Sequence, residues 1–253
     1  MNRYRPLLLL GALSVAGCVV YNVQADQPDT KTWPVAGITA IDVRADNGAI
    51  SVRSSTDTVV SAKVTKSCKG TSQADAEAHL ADISVGDSMS GTTLYMWGKV
   101  PQGNARSYNT KFEVSAPAAT LLRVETTNGA VTLDSMAGAA VVVATNGAVG
   151  TVAHSSSISI EAANGAIDCD VAALDAGEAA ALHSANGRGT LYLPANTSFA
   201  FDITTSNGKA NVDGFTNVNY STNEATHKVG IIGAGAAAVT LRSENGNVNI
   251  QAK

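Results

Sequence analysis

Charged and aromatic side chains are scarce in this chain of 253 residues: 15% of the residues are charged and 5% are aromatic. The formal net charge is −4, which excludes the strongly basic surface typical of nucleic-acid-binding proteins. Because 45% of the residues are apolar, the chain also differs from disordered proteins, which have too little apolar surface to form a core. Composition therefore predicts a folded protein that binds no nucleic acid.

The usual motifs of catalytic and metal sites are also missing. The sequence has no G-x-S-x-G motif, no phosphate-binding loop and no histidine pair at the spacing of a helical zinc site. Two of the histidines, His154 and His183, are predicted to point outward from different repeats. The four histidines are His79, His154, His183 and His227.

Several acidic residues in the central part of the chain could lie close together in the folded protein. Asp168 and Asp170 flank Cys169, and the alternation of side chains along a strand places both carboxylates on one outward face. With Glu161, or with Asp134 on a neighbouring coil, they would form a patch for a cation. Carboxylate clusters of this kind also occur in β-helix enzymes that degrade polysaccharides, so a carbohydrate-active enzyme is an alternative.

Basic residues are nearly absent from the same part of the chain. Between Phe112 and Gly208 there is no lysine, and arginine occurs only at Arg123 and Arg188, against nine acidic residues. An acid–base mechanism needs a base close to the acids. We therefore predict no catalytic residue, no metal ligand and no cofactor, and interpret the carboxylates as solvated.

No apolar run is long enough to span a membrane as a helix. The run at residues 7–16 has ten residues and follows two arginines, whereas a spanning helix needs roughly 20. It is typical of a secretory signal peptide. The sequence Val15-Ala16-Gly17-Cys18 then resembles the lipobox of bacterial lipoproteins. The alternatives are an ordinary signal peptide followed by an incidental cysteine, or a short membrane anchor.

The lipobox interpretation divides the amino-terminal region into two parts. Residues 1–17 are predicted to be the signal peptide, and Cys18 the lipidated first residue, whose lipid binds the membrane without spanning it. Residues 18–35 are polar and contain Pro28 and Pro34, which predicts a flexible linker. Val19 rather than Asp follows the cysteine, which favours the outer membrane.

Two further cysteines leave the question of a disulfide open. Cys68 and Cys169 lie 101 residues apart. An exported protein experiences an oxidising environment, in which a disulfide can form. Two isolated buried thiols are the alternative.

The dipeptide Asn-Gly recurs through the chain with a regular environment. It is spaced by 18 to 22 residues in the central part, which is typical of a solenoid. Apolar or small residues occupy even positions before the Asn and odd positions after it, so the strand alternation shifts by one residue at the dipeptide. The seven asparagines are Asn47, Asn128, Asn146, Asn164, Asn186, Asn207 and Asn245.

This pattern predicts an all-β fold. We expect a β-solenoid, similar to a parallel β-helix, with a β-rich cap at 36–116 that contains one short helix near 72–82, and repeats at 117–253. Five asparagines are predicted to be buried and stacked at successive corners, each followed by a glycine with positive φ. Surface hairpins with type I′ turns are the alternative. The five are Asn128, Asn146, Asn164, Asn186 and Asn207.

The Asn-Gly repeats, the glycine-rich segment before the last repeat and the opening strand with Asn47-Gly48 resemble the DUF4097 family of adhesin-like bacterial envelope proteins. The resemblance covers residues 38–251 and implies a β-helix-like domain on an exported protein. It transfers no catalytic residue. We therefore expect a non-enzymatic envelope lipoprotein whose partner is a glycan or a protein. The alternatives are a β-helix carbohydrate-active enzyme and a periplasmic factor of envelope assembly or stress response.

Overall fold

The computed structural model describes residues 20–103 and 106–253, and most of these residues form β-strands. One short helix, α1, spans Gln73–Ala78 and continues into a 3₁₀ turn at His79–Asp82. The Ser72 hydroxyl accepts a hydrogen bond from the Asp75 backbone N–H at 3.2 Å and caps the helix. The sequence prediction of one short helix in an all-β fold is therefore confirmed.

The strands of the amino-terminal half are β1 Val23–Pro34, β2 Ala40–Asn47, β3 Ile50–Ser54, β4 Val59–Gly70, β5 Ser84–Ser90, β6 Thr93–Lys99, β7 Tyr108–Ala116, β8 Leu121–Asn128, β9 Val131–Asp134, β10 Ala140–Asn146 and β11 Val149–Ser155. The strands of the carboxy-terminal half are β12 Ile158–Asn164, β13 Ile167–Ala173, β14 Ala179–Asn186, β15 Gly189–Leu193, β16 Phe199–Asn207, β17 Ala210–Asp213, β18 Asn219–Asn223, β19 His227–Ile232, β20 Ala237–Asn245 and β21 Val248–Ala252.

These strands form two open sheets. The first sheet has ten strands in the order β1-β4-β7-β3-β9-β11-β13-β15-β21-β17. The second has eleven strands in the order β18-β19-β16-β20-β14-β12-β10-β8-β2-β6-β5. Pairing is parallel in the middle of both sheets and largely antiparallel at their ends, so the sheets are mixed.

The parallel part is a stack of seven two-strand coils. In each coil a strand of the second sheet runs to an Asn-Gly corner and continues as a strand of the first sheet. The coils align residue for residue: Val142 pairs with Val124 on one side and with Ile160 on the other. Because equivalent apolar residues lie side by side, they form one continuous core between the sheets. The coils are β2–β3, β8–β9, β10–β11, β12–β13, β14–β15, β16–β17 and β20–β21.

The order of the coils in the stack differs from their order in the chain. The last coil, β20–β21, inserts between β14–β15 and β16–β17. The segment that precedes it forms the antiparallel hairpin β18–β19, which extends the second sheet beyond β16. The chain then returns to fill the place between two earlier coils. The prediction that Asn207 stacks on Asn186 is therefore wrong.

Residues 18–35 are not a flexible linker along most of their length, which corrects the sequence prediction. Strand β1 covers Val23–Pro34 and pairs antiparallel with β4 throughout. A polar sequence is compatible with a strand here because β1 lies at the edge of the sheet. An edge strand exposes most of its side chains even where its backbone is fully paired. Only Ala25 of this strand is fully buried, while Trp33 packs against the main core.

The boundary predicted at 116 between cap and repeats is also wrong. Strands β2 and β3 belong to the predicted cap, yet they form the first coil of the stack. The remaining cap strands extend both sheets from this coil. Helix α1 covers a second, smaller core that contains Cys68, Leu80 and Tyr108.

Candidate functional site

The asparagine side chains form a hydrogen-bonded row along one edge of the stack. Each Nδ2 donates to the Oδ1 of the next asparagine, at distances from 2.6 to 2.9 Å. At the amino-terminal end, the Asn47 Nδ2 donates to the Tyr108 carbonyl oxygen at 3.4 Å. From donor to acceptor the row runs Asn207, Asn245, Asn186, Asn164, Asn146, Asn128 and Asn47.

These side chains are not buried, in contrast to the prediction. Asn47 is half-buried and the other six asparagines are exposed. The strand of the second sheet ends at the corner, where the residue before the asparagine and the asparagine itself both face outward or partly outward, as Thr145 and Asn146 do. An exposed amide can bond to water with the N–H that the row leaves free, so the arrangement involves no desolvation penalty.

The glycine after each asparagine is required by a close backbone contact. A Cβ at Gly129, Gly147, Gly165, Gly187, Gly208 or Gly246 would lie 2.0 to 2.2 Å from a glycine carbonyl oxygen of the neighbouring coil. Only Gly48 (φ +140°) and Gly147 (φ +159°) of the seven have a positive φ. The prediction of positive φ at every corner is therefore wrong, and the contact explains the glycines instead.

Hydroxyl groups two residues before the asparagine stabilise several of these corners. They donate to the glycine carbonyl oxygen of the neighbouring coil at 2.7 to 3.2 Å, and all four of their residues are buried. The sequence showed only that this position holds small residues. The four are Thr126, Ser184, Thr205 and Ser243.

The carboxylates considered for cation binding or catalysis are partly or fully exposed, and two of them are paired with basic side chains. Asp168 forms an ion pair with Arg188 at 2.8 Å, and Asp170 pairs with Lys253. Both aspartates lie on the outer face of the first sheet, whereas Glu161 belongs to the second sheet. Within residues 20–103 and 106–253, no three His, Cys, Asp or Glu side chains come close enough to hold a metal ion.

His154 is fully buried, although the sequence predicted that it points outward. A bulge in β11, where Ala153 has φ +50°, shifts the alternation by one residue. Its Nε2 lies 3.4 Å from the Ser157 carbonyl oxygen, and its Nδ1 has no partner among the described residues. Burial lowers the pKa of His154, because the imidazolium ion loses its hydration, while Ser157 and Glu178 partly oppose this effect.

The cysteines within the described residues are two separate thiols. Cys68 lies in the small core under α1 and Cys169 in the main core, and neither forms a disulfide. Burial raises the pKa of Cys169 to about 12, so this thiol stays protonated at neutral pH. Cys18, the predicted lipidation site, lies outside the described residues.

A cavity that the sequence did not reveal lies at the carboxy-terminal end of the second sheet. Its volume is about 460 Å³, it opens to solvent on the outer face of the sheet, and the outward side chains that line it include Ala200, Ile231 and Ala238. Beneath it, on the inner side of the sheet, the Phe201 and Tyr220 rings meet edge to face in the core, with 5.8 Å between their centroids. An apolar cavity with a few polar groups at its rim is the usual form of a small-ligand site.

One polar group of this cavity, Asp202, is paired with a histidine that lies outside the lining. The His227 Nε2 lies 3.0 Å from the Asp202 Oδ1, and Asp202 lines the cavity. Ser221 also lines it, but its hydroxyl donates to the Val229 carbonyl oxygen at 3.3 Å. The hydroxyl is therefore engaged by the backbone, and the arrangement fits ligand contact better than nucleophilic attack.

Comparisons with known proteins identify a family. The family described as Toastrack DUF4097 matches residues 29–251. No curated protein matches the sequence.

In the residues that the structure describes, no helix has both the length and the apolar character needed to cross a membrane.

Two crystal structures are similar in part. A "putative cell adhesion protein" from Clostridium sporogenes ATCC 15579 has a TM-score of 0.48 and 11% identity, over 90% of this chain and 100% of that one. A "putative adhesin" from Bacteroides fragilis NCTC 9343 has a TM-score of 0.36 and 13% identity, over 88% of this chain and 97% of that one.

Proposed function

This chain belongs to the Toastrack DUF4097 family, and we propose that it is a non-enzymatic lipoprotein of the cell envelope with an adhesin-like binding domain. The lipid on Cys18 anchors it, and Val19 favours the outer membrane. The partner is a glycan or a protein surface. The proposal is supported by the lipobox pattern and by the positions of the two ends of the stack.

The amino-terminal end of the stack lies next to the anchor. The Tyr21 ring packs against the Arg106 guanidinium, 4.6 Å from its centroid, and Arg106 donates to the Asp75 carboxylate at 2.9 and 3.1 Å. Only two residues separate Cys18 from Tyr21, so the backbone of Cys18 can be at most about 11 Å from that of Tyr21. The cap therefore lies close to the membrane surface.

The cavity lies at the opposite end of the stack, and this relationship is the observation that carries the proposal. The first sheet has ten strands, from β1 beside the anchor to β17 in the coil that also contains β16. At about 4.8 Å per strand, the two ends are about 40 Å apart. Strands β16, β18, β19 and β20 line the cavity. The protein thus presents an apolar cavity well away from the membrane that anchors it.

The anchor is tested by replacing Cys18 with Ser in the full chain. We expect the variant to lose its lipid and leave the membrane fraction, while a Cys68→Ala variant stays with the membrane and keeps a lipidated amino-terminal peptide. Mass spectrometry of that peptide and cell fractionation measure the two effects. Equal membrane association of the Cys18→Ser variant would contradict the anchoring.

The binding role is tested by filling the cavity. Ala238 is exposed and lines the cavity, whereas Ala163 is exposed on the same sheet outside it. We expect Ala238→Trp to reduce binding to immobilised envelope glycans and surface proteins, and Ala163→Trp to leave it unchanged. Equal binding by the two variants would exclude the cavity. Release of sugar fragments by the unmodified protein would contradict the non-enzymatic role.

A further inference from the structure

Asn-Gly dipeptides can modify themselves chemically, and the fold controls whether they do. The backbone nitrogen of the glycine attacks the side-chain carbonyl carbon of the asparagine and closes a succinimide ring. The reaction requires a glycine nitrogen that is free to turn toward the side chain. Glycine keeps this approach open because it has no Cβ. The chain contains seven such dipeptides.

Six of the seven glycine nitrogens are held by hydrogen bonds. Each donates to the backbone carbonyl oxygen of an asparagine in the neighbouring coil, at distances from 2.7 to 3.1 Å. Attack on the asparagine would first have to break this bond and displace the corner from the stack. The six are Gly48, Gly129, Gly147, Gly165, Gly187 and Gly246.

The seventh dipeptide, Asn207-Gly208, lies at the end of the asparagine row. Among the described residues, the Gly208 N–H has no hydrogen-bond partner, because no coil follows β16–β17 on that side. The Asn207 Nδ2 donates to the Asn245 Oδ1 at 2.9 Å. Among the residues that the structure describes, no asparagine donates to the Asn207 Oδ1, so this amide is held from one side.

The hairpin β18–β19 covers only the residues around this corner. The Thr205 N–H donates to the Thr226 carbonyl oxygen and the Ala210 N–H to the Ala225 carbonyl oxygen, both at 2.9 Å. These bonds hold the strands on either side of the corner and leave the Gly208 nitrogen free. Asn207 itself is exposed, so water reaches the dipeptide.

We propose that Asn207 is a site of spontaneous deamidation, in which the fold itself selects one of seven identical dipeptides. The Gly208 nitrogen loses its proton and bonds to the Asn207 Cγ. The bond from Cγ to the side-chain nitrogen breaks, and ammonia leaves. Water then opens the ring and yields an aspartate or an isoaspartate linkage. Water is the only co-reactant, and no oxidant or reductant takes part.

The modification changes the end of the stack that carries the cavity. The new carboxylate faces the Asn245 Oδ1 and can no longer donate to it, so two acceptors oppose each other. An isoaspartate linkage also adds a carbon atom to the main chain at the corner between β16 and β17. Since Ala200 and Asp202 of β16 line the cavity, the reaction would loosen a strand that forms part of its wall.

The test is to incubate the folded protein at mildly alkaline pH and measure deamidation of each peptide by mass spectrometry. Asn146 and Asn164 are matched controls in the same molecule, and a sample unfolded in urea gives the rates without the fold. We expect Asn207 to react at least about fivefold faster than either control in the folded protein, the factor given by about 1 kcal/mol of activation free energy. In urea we expect the three rates to converge.

Two results would overturn this proposal. One is a rate at Asn207 in the folded protein that does not exceed the rates at Asn146 and Asn164. The other is the same ranking of the three rates in urea, because local sequence rather than the stack would then explain the selection. An Asn207→Gln variant should lose the modified peptide while keeping the thermal midpoint of the unmodified protein to within a few degrees.

Discussion

The backbone of Gly165 lies directly against the carbonyl group of Gly147 in the neighbouring coil. A Cβ on Gly165 would be 2.1 Å from the Gly147 carbonyl oxygen, a distance that no packed carbon and oxygen can adopt. The same contact repeats from coil to coil along the asparagine edge. The corners of the stack can therefore approach each other only because they have no side chain at this position.

We expect Gly165→Ala to destabilise the protein by about 3 kcal/mol or more, because two coils must separate to admit the methyl group. Gly150→Ala is the matched control, since its Cβ would meet nothing closer than 4.0 Å. This change should leave the free energy of unfolding unchanged or raise it slightly. Urea unfolding measures both. Equal midpoints for the two variants would contradict the close contact.

Each asparagine of the row should contribute modestly to the free energy of unfolding, because its side chain is exposed or half-buried. Asn164 donates to Asn146 and accepts from Asn186, both at 2.9 Å. Removing both bonds with Asn164→Ala should cost about 1 kcal/mol, whereas Glu161→Ala should stay within about 0.5 kcal/mol. Thermal unfolding of the two variants at equal concentration measures the difference, and equal midpoints would show that the row adds no stability.

The direction of the row gives Asn164 a second, pH-dependent test. Asn164→Asp keeps an acceptor for Asn186 but places an ionised carboxylate against the Asn146 Oδ1. The repulsion raises the pKa of the introduced carboxylate. Below that pKa the group donates again, so the variant should regain stability relative to Asn164→Ala as the pH falls from 7 toward about 4. A difference between the variants that does not change with pH would contradict the row.

The buried hydroxyl groups at the corners should contribute measurably to the free energy of unfolding. The Thr205 hydroxyl donates to the Gly246 carbonyl oxygen at 2.7 Å, and Thr205 is buried. Thr205→Val keeps the shape but leaves that oxygen without the hydroxyl, at a cost of about 1–2 kcal/mol. Thr127→Val, at an exposed position, should cost less than about 0.5 kcal/mol. Denaturant unfolding that ranks the two variants the other way would exclude this role.

Buried His154 should make the protein less stable in acid. Its pKa is lowered in the folded state, so below about pH 6.5 the unfolded chain binds a proton that the folded protein does not. Above that pH the burial of His154 does not lower the free energy of unfolding. As the pH decreases toward the folded-state pKa, the free energy of unfolding falls. His154→Phe should flatten this dependence of stability on pH. Thermal midpoints between pH 8 and pH 5 measure it, and parallel curves for His154→Phe and the unmodified protein would contradict it.

The local design of each coil could be predicted from the sequence, because it depends on neighbours along the chain. The apolar alternation before and after Asn164 predicts that Ile160 and Ala162 face inward on one strand and Ile167 and Cys169 on the next, and all four are buried. The Ser72 cap of α1 is similarly local. These features follow from the two-residue period of a strand and from capping chemistry within one turn.

The cavity and the buried histidine needed the tertiary structure. Ala200, Ser221 and Ile231 line the same cavity only because β19 pairs with both β16 and β18. His154 points inward only because a bulge in β11 offsets its register against β13. In both places the local sequence has no feature that distinguishes it from any other strand. The position of the side chain depends on pairing with a distant strand.

The repeat pattern along the chain is enough to predict coils with Asn-Gly corners. The order of the coils and the direction in which the corners face depend instead on contacts between distant strands. The clearest case is Asn245, which stacks between Asn186 and Asn207 across separations of 59 and 38 residues. Every coil offers the same amide, glycine carbonyl and apolar row to its neighbours, so local sequence does not distinguish one neighbour from another. The hairpin β18–β19 distinguishes them, because it pairs with β16 on the side opposite to β20 and leaves the last coil only the place beside β14.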